Sequence, residues 1–231
     1  MVILDPEEAD LFKQIGVNDI DFAAKILESF QTLEARSLLA QLKEEDLNNL
    51  FVSIKHARNK QALLQLENLM LNEVNVVEFQ KWIDTNTWVF GTEYVKKYET
   101  RKIGIHSQAD FIVESLDGFT DLVELKKSSF KLFDFDESRS LYYPSKELAQ
   151  VIGQAIHYIK VIEDHRSILK EDDDLEVLKP RVKVVIGRSI DMKYEEKKTL
   201  RLLNASLHGV EIITYDEILN RAHKILSTYE E

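Results

Sequence analysis

Two short apolar segments joined by a glycine turn constrain the fold of this chain more than any other feature. Ala109–Glu114 and Asp121–Lys127 have the alternation of strands, and the loop between them carries Asp117-Gly118. An Asp-Gly pair favours a tight turn between antiparallel strands, so the sequence predicts a β-hairpin. Because alternate residues of a strand point to opposite faces, the hairpin also fixes which polar side chains share a face.

Two acids and one lysine of this hairpin are placed where they could act together. Glu124 and Lys126 are two residues apart and point to one face, while Asp110 begins the partner strand. An acid followed by an acid-x-lysine on a neighbouring strand is the pattern of the PD-(D/E)XK nucleases. Ala109 stands where the literal motif has proline. An ordinary surface strand with alternating charges is the alternative interpretation.

The composition is that of a globular protein and excludes several kinds of site. The chain has 231 residues, of which 44% are hydrophobic and 31% charged, as is usual for soluble domains. It has no cysteine, which excludes disulfides and thiolate metal sites. No apolar run approaches the roughly 20 residues of a membrane span, and no signal peptide is visible at the start. We therefore expect a cytoplasmic protein that makes no membrane contact.

The charge is acidic overall but uneven along the chain. A net charge of −11 argues against a general nucleic-acid coat, which requires clustered Lys and Arg. Basic residues nevertheless gather near the hairpin, so a local patch that faces phosphate is one interpretation and solvated surface charge is the other. The candidate nucleic-acid contacts are Lys96, Lys97, Lys127 and Arg188.

Residues 1–72 have the periodicity of helices. Phe22, Ile26, Phe30 and Leu33 recur at spacings of three and four, which places them on one helix face. The predicted helices are 8–15, 19–35, 43–57 and 59–72. We therefore predict two domains, an all-helical N-terminal region of residues 1–72 for assembly or sensing, and a second domain of residues 73–231. Faces this rich in leucine also suggest self-association.

The rest of the chain alternates helices and strands around the hairpin. The predicted helices are Val76–Asp84, a helix capped by Ser145 that runs to Leu169, Glu195–Leu207 and Asp216–Tyr229. Outside the hairpin, a first strand is predicted to begin within Glu93–Arg101, and two further strands are predicted at Pro180–Gly187 and Val210–Tyr215. Strands that alternate with helices predict an α/β fold, with a sheet flanked by helices.

Three further polar residues are candidates for the site. Glu93, beside a glycine turn ahead of the first strand, is a further candidate metal ligand. Gln154, on the long helix, could hydrogen-bond a phosphate or a metal-bound water, or lie on the surface. Arg188, at the end of its strand, could reach phosphate or cap a helix.

A set of short motifs occurs in the order found in one known family. The motifs are Phe79-Gln-Lys-Trp82, Trp88-Val-Phe-Gly91, Ala109-Asp110-Phe111, Glu124-Leu-Lys126, Gln154-Ala-Ile-His-Tyr158, Val185-Ile-Gly187 and Ile213-Thr-Tyr215. This region, about two thirds of the chain, resembles the C-terminal nuclease domain of the Shedu anti-phage defence proteins, a branch of the PD-(D/E)XK superfamily. The resemblance does not extend to the first 72 residues.

The resemblance implies a restriction-endonuclease-like fold and a DNA endonuclease that depends on Mg²⁺, for which Mn²⁺ could substitute. It also implies assembly as a homo-oligomer, a tetramer. Asp110 and Glu124 match the metal-binding acids, Lys126 the catalytic lysine and Gln154 the glutamine of the following helix. Glu93 is a weaker match. Mg²⁺ needs only one or two carboxylates among hard oxygen ligands, and the main-chain carbonyl of Leu125 could add a third ligand.

Other functions remain open on the sequence alone. One alternative is a PD-(D/E)XK nuclease of repair or recombination, or one that cleaves RNA. The other is a catalytically silent domain for nucleic-acid binding or assembly, because a fold does not guarantee its chemistry.

Overall fold

The structure is a computed structural model that describes residues 44–72 and 75–228. The α-helices of this part of the chain are α1 (Glu44–Leu71), α2 (Val76–Thr85), α3 (Lys146–Asp164), α4 (Arg166–Asp173), α5 (Tyr194–Ser206) and α6 (Tyr215–Ser227), with a short 3-10 helix at Thr87–Phe90. The strands are β1 (Tyr94–Lys97), β2 (Phe111–Ser115), β3 (Thr120–Leu125), β4 (Phe133–Asp136), β5 (Leu141–Pro144), β6 (Val182–Val185) and β7 (Val210–Ile213).

Five strands form one mixed sheet in the order β1-β2-β3-β6-β7. β1, β2 and β3 are antiparallel, whereas β3, β6 and β7 run parallel to one another. The predicted hairpin is confirmed, with Phe111 opposite Val123 and Glu114 opposite Thr120. The predicted α/β architecture, a mixed sheet flanked by helices, is likewise confirmed. β4 and β5 form a separate two-stranded ribbon.

Helices cover both faces of the sheet. Val123 and Leu125 pack in one core cluster with residues of α2 and α6, and Leu122 packs in a second cluster with residues of α3 and α5. All six residues of β3 are buried. The sequence predicted a sheet flanked by helices, and both faces of β3 are covered in this way. The second covered face arises because β3 has a parallel neighbour, and parallel strands are normally buried on both sides by crossover helices.

Two helices that flank the site begin at well-formed N-caps. The Ser145 hydroxyl accepts a hydrogen bond from the Leu148 N–H at 3.1 Å, which confirms the predicted cap of α3. Thr214 and Glu217 form a capping box at the start of α6. Such caps satisfy N–H groups that the helix itself leaves unpaired. The helix predicted to continue to Leu169 ends at Asp164, and α4 starts at Arg166.

The chain forms two compact units, residues 1–55 and residues 56–231. The predicted helices 43–57 and 59–72 are one continuous helix, α1, and the helices predicted at 8–15 and 19–35 lie outside the described residues. The boundary predicted at residue 72 stays a prediction, although Leu63, Leu66 and Met70 already contribute to the core of the second unit. Among the described helices, α1 included, none is long and apolar enough to cross a membrane.

Candidate active site

The start of β2 and the end of β3 bring the predicted acids together. Because Phe111 pairs with Val123, the preceding residue Asp110 lies beside the last residues of β3. One carboxylate oxygen of Asp110 accepts a hydrogen bond from the Leu125 N–H at 2.8 Å. The hairpin register therefore places Asp110 next to the Glu124–Leu125 peptide, as the sequence predicted.

Glu124 connects the strand to Lys126 and to helix α3. Its side chain is only 6% exposed. One carboxylate oxygen accepts from the Lys126 ammonium at 2.6 Å and from the Gln154 amide at 3.1 Å. The same amide nitrogen lies 2.6 Å from the Tyr158 hydroxyl. Gln154 thus orients Glu124 from the helix, so the structure brings together all four residues predicted to be catalytic.

A second cationic side chain, which was not predicted to belong to the site, pairs with Asp110. The Arg101 guanidinium donates to the second oxygen of Asp110 at 3.1 Å. Arg101 belongs to the basic residues that precede the hairpin in the sequence, and that clustering was the only signal for it. Each buried acid therefore has one cationic partner, Lys126 for Glu124 and Arg101 for Asp110.

The hydrogen bonds and cations around Asp110 and Glu124 do not fully offset the effect of burial on their negative charges. Burial raises the pKa of Asp110, and the Leu125 N–H, Arg101 and Lys126 offset it only in part. Burial also raises the pKa of Glu124, the Asp110 carboxylate raises it further, and Lys126 opposes both effects. Two nearby carboxylates with raised pKa values form a local site that favours additional positive charge.

The main chain around Lys126 is fixed on both sides. Its N–H donates to the Val185 carbonyl at 2.8 Å, and its carbonyl accepts from the Tyr215 hydroxyl at 2.7 Å. Gly187 has a φ of +64°. A β-carbon at this position would lie 2.5 Å from the Phe130 carbonyl oxygen. These contacts give the Val185-Ile-Gly187 and Ile213-Thr-Tyr215 motifs a physical role, because they hold the segment that carries Lys126.

The donor set fits a small divalent cation. Asp110 and Glu124 present hard carboxylate oxygens, the ligands that Mg²⁺ prefers. The Leu125 N–H points to Asp110, and because both polar groups of a strand residue face the same edge, its carbonyl also faces that acid. Within residues 44–72 and 75–228 no three His, Asp or Glu side chains are grouped to hold a metal. A site here would rest on two carboxylates, one carbonyl and water.

Glu93 does not join this group. Its carbonyl accepts from the Leu116 N–H, at the turn end of the hairpin. At about 3.3 Å per residue, Leu116 lies on the order of 20 Å from Asp110 along the strand. The Glu93 carboxylate instead pairs with Lys183 and lies near Arg221. The structure therefore does not support Glu93 as a metal ligand, because the register of β1 carries it to the opposite end of the sheet.

Arg188 is also engaged elsewhere. Its guanidinium pairs with Asp216 at 2.8 Å and donates to the Met70 carbonyl at 3.4 Å. These contacts join the end of β6 to the start of α6, so the guanidinium predicted either to reach phosphate or to cap a helix is paired with an acid of α6.

The other three candidate nucleic-acid contacts differ in position. Lys97 pairs with Asp84, and both line a groove that Asp110 also lines. Lys96 is exposed with its ammonium 4.3 Å from the Tyr98 ring centroid, and Lys127 is exposed over Phe130. Lys97 is therefore the one of the three that lines the approach to the acids.

Comparison with known families identifies the region that contains this site. Residues 75–219 match a family model described as Shedu protein SduA, C-terminal. The match covers more than half of the chain and runs from the cap of α2 into α6, so it includes Asp110, Glu124, Lys126 and Gln154. A search of curated proteins found no match.

Proposed function

The chain belongs to the Shedu family of anti-phage defence proteins, and on that premise we propose that it is a metal-dependent DNA endonuclease that hydrolyses phosphodiester bonds. One observation carries the proposal. Asp110 and Glu124 meet at adjacent strand ends with raised pKa values, and Lys126 lies 2.6 Å from Glu124. This arrangement suits binding of a divalent cation next to a cationic side chain.

Each residue has a distinct task in the proposed reaction. Asp110, Glu124 and the Leu125 carbonyl would hold Mg²⁺, or Mn²⁺ in its place. When bound, such a cation lowers the pKa of a coordinated water and neutralises charge on the phosphate. Lys126 orients the attacking water and stabilises the negative charge that grows on the phosphate oxygens. Gln154 keeps the Glu124 carboxylate in position through its hydrogen bond from α3.

The decisive experiment is cleavage of linear, nicked and supercoiled DNA in Mg²⁺ or EDTA. We expect cutting by the wild type in Mg²⁺ alone and its loss in Lys126→Ala. Lys160→Ala is the matched control, because Lys160 is an exposed lysine of α3 that pairs only with Asp164 in the described structure. Full activity of Lys126→Ala, or equal cutting in EDTA, would contradict the proposal.

A panel of substrates separates the alternatives within the same fold. Preference for RNA, or for nicked and branched DNA, would indicate an RNase or a repair nuclease instead. DNA binding that is equal in EDTA and Mg²⁺, without cutting, would indicate a silent binding domain.

Membership of the family also motivates proposals about oligomeric state and cellular location. We propose that the chain forms a homotetramer that acts on DNA in the cytoplasm. Light scattering of the full chain tests the assembly, and a monomeric mass would contradict it.

A further inference from the structure

Arg101 is anchored at the site independently of its ion pair with Asp110. Its Nε donates to the Ala109 carbonyl at 3.0 Å, and its own carbonyl accepts from the Ala109 N–H at 3.0 Å. The Gln80 amide lies against the guanidinium, and with its oxygen turned to Arg101 it accepts at 3.0 and 3.1 Å. The guanidinium would therefore stay at the site if Asp110 released it.

A groove leads from the surface to this guanidinium. It has a volume of about 280 Å³, and its charged lining residues are Lys81, Lys97 and Arg101 together with Asp84, Glu99 and Asp110. The Arg101 side chain is 45% exposed, whereas Asp110 is only 17% exposed. A ligand that enters the groove therefore meets the arginine at the point where the groove reaches the acid.

The pairing with Arg101 opposes the binding of a second cation to Asp110. Both oxygens of Asp110 already accept a hydrogen bond, one from Leu125 and one from Arg101. A divalent cation on Asp110 would lie within a few ångströms of the guanidinium, where like charges repel by about 1–4 kcal/mol per unit charge pair. An anion between the two would remove this repulsion. Guanidinium groups bind phosphate through two parallel hydrogen bonds.

We propose that Arg101 binds the phosphodiester of the substrate, moving from Asp110 to phosphate when Asp110 takes up the cation. This inference rests on the proposed function and adds to it a residue outside the acid-x-lysine motif. Arg101 then has opposite effects on the two ligands. It weakens the binding of the cation alone, and it strengthens the binding of DNA in the presence of the cation.

Two binding measurements on the full chain test this exchange. The first titrates Mn²⁺ alone into wild type, Arg101→Met and Lys102→Met by calorimetry. Lys102→Met is the matched control, because it removes the same charge from an adjacent exposed residue, and in the described structure the cation that pairs with Asp110 is Arg101. We expect Arg101→Met to bind Mn²⁺ at least about threefold more tightly, because a neighbouring positive charge is gone, and Lys102→Met to match the wild type.

The second measurement is affinity for a 20-base-pair duplex in Mg²⁺, in an uncleaving Lys126→Met background. Adding Arg101→Met should weaken DNA binding about tenfold and lower the slope of log K against log salt by about 1. The control Lys102→Met should have a smaller effect on affinity.

Three results would overturn the inference. One is unchanged or weaker Mn²⁺ binding by Arg101→Met, which would mean that Arg101 serves to position Asp110. Another is a loss of DNA affinity no larger than that of Lys102→Met. If either result is found while the wild type binds Mn²⁺ and cuts DNA, only the proposed role of Arg101 is rejected. A wild type that neither binds Mn²⁺ nor cuts DNA overturns the proposed function together with this inference.

Discussion

Two groups of buried charge lie at the carboxyl ends of the parallel strands, and they differ in how fully the protein compensates them. Asp216 accepts hydrogen bonds from the Arg188 guanidinium and from the N–H groups of Ser189 and Ile190. Burial raises the pKa of Asp216, but these donors together outweigh it, and the net pKa is lowered. For Asp110 and Glu124, burial outweighs the donors, and their pKa values are raised.

The number and charge of the donors explain this difference. A carboxylate that receives a guanidinium and two N–H groups is stable in its charged form without any ligand. Asp110 and Glu124 have fewer donors and repel each other, so their charge is left for a further cation to compensate. Burial that the surrounding donors do not outweigh distinguishes the candidate site from the structural ion pair of Asp216.

The largest expected effect separates the two groups by activity. Glu124→Gln should lower cleavage by at least about 10²–10³-fold, because the site loses a ligand charge and the partner of Lys126. Asp216→Asn should leave the rate per folded molecule within about a few-fold of wild type, since its contacts are structural. Cleavage rates normalised to the folded fraction test both. Equal losses in the two variants would remove the functional distinction.

Stability should show the opposite order. Asp216→Asn leaves the Arg188 guanidinium without its carboxylate, and breaking a buried ion pair in this way costs about 3–5 kcal/mol. Because Arg188 is 26% exposed, we expect about 2–4 kcal/mol, measured as a lower urea midpoint. Arg188→Met should also be destabilising, and a variant at either position with wild-type stability would show that the pair is dispensable.

The two groups should also respond to pH with opposite signs. Since the folded pKa of Glu124 is raised, its contribution to stability is fully present below its ordinary pKa, 4.5, and is lost as pH rises through the folded value. The lowered pKa of Asp216 gives stability above the ordinary value of 3.8, which is lost as pH falls. In EDTA, Glu124→Gln should therefore become more stable relative to wild type as pH rises from 4 to 7.

Thermal midpoints of both variants across this pH range test the sign. Asp216→Asn should differ most from wild type at neutral pH and least in acid. If the Glu124→Gln difference instead shrank as pH rose, the charge of Glu124 would be fully compensated by Lys126, and the contrast between the two groups would disappear.

The sequence allowed prediction of what depends on local pattern. The hairpin and the meeting of Asp110 with Glu124 follow from alternation and from an Asp-Gly turn, both of which lie within about 20 residues. Ser145 as a cap is equally local. The contacts of Arg101 could not be predicted, because an irregular loop brings it back to Asp110. Glu93 was placed wrongly, since nothing in the sequence fixed which end of β2 its strand would meet.

Long-range contacts were likewise beyond the sequence. Arg188 was predicted either to reach phosphate or to cap a helix, and its partner Asp216 lies 28 residues later in the chain. The alternation of strands and helices predicted a sheet flanked by helices, but not the parallel pairing of β3 with β6, which follows only after the crossover through α3 and α4. Side chains joined by topology require the fold itself to be known.

The smallest expected effect concerns Tyr215, which links the two groups. It precedes Asp216 in the chain, is fully buried, and donates its hydroxyl to the Lys126 carbonyl at 2.7 Å. Tyr215→Phe keeps the ring that packs 4.3 Å from Phe79 and removes only this hydrogen bond. We expect a loss of about 1 kcal/mol in stability and a few-fold fall in kcat with unchanged DNA affinity, because Lys126 would be held less firmly. Unchanged kcat would show that Gly187 and Val185 alone position the lysine, and that Tyr215 belongs with Asp216 to the structural group.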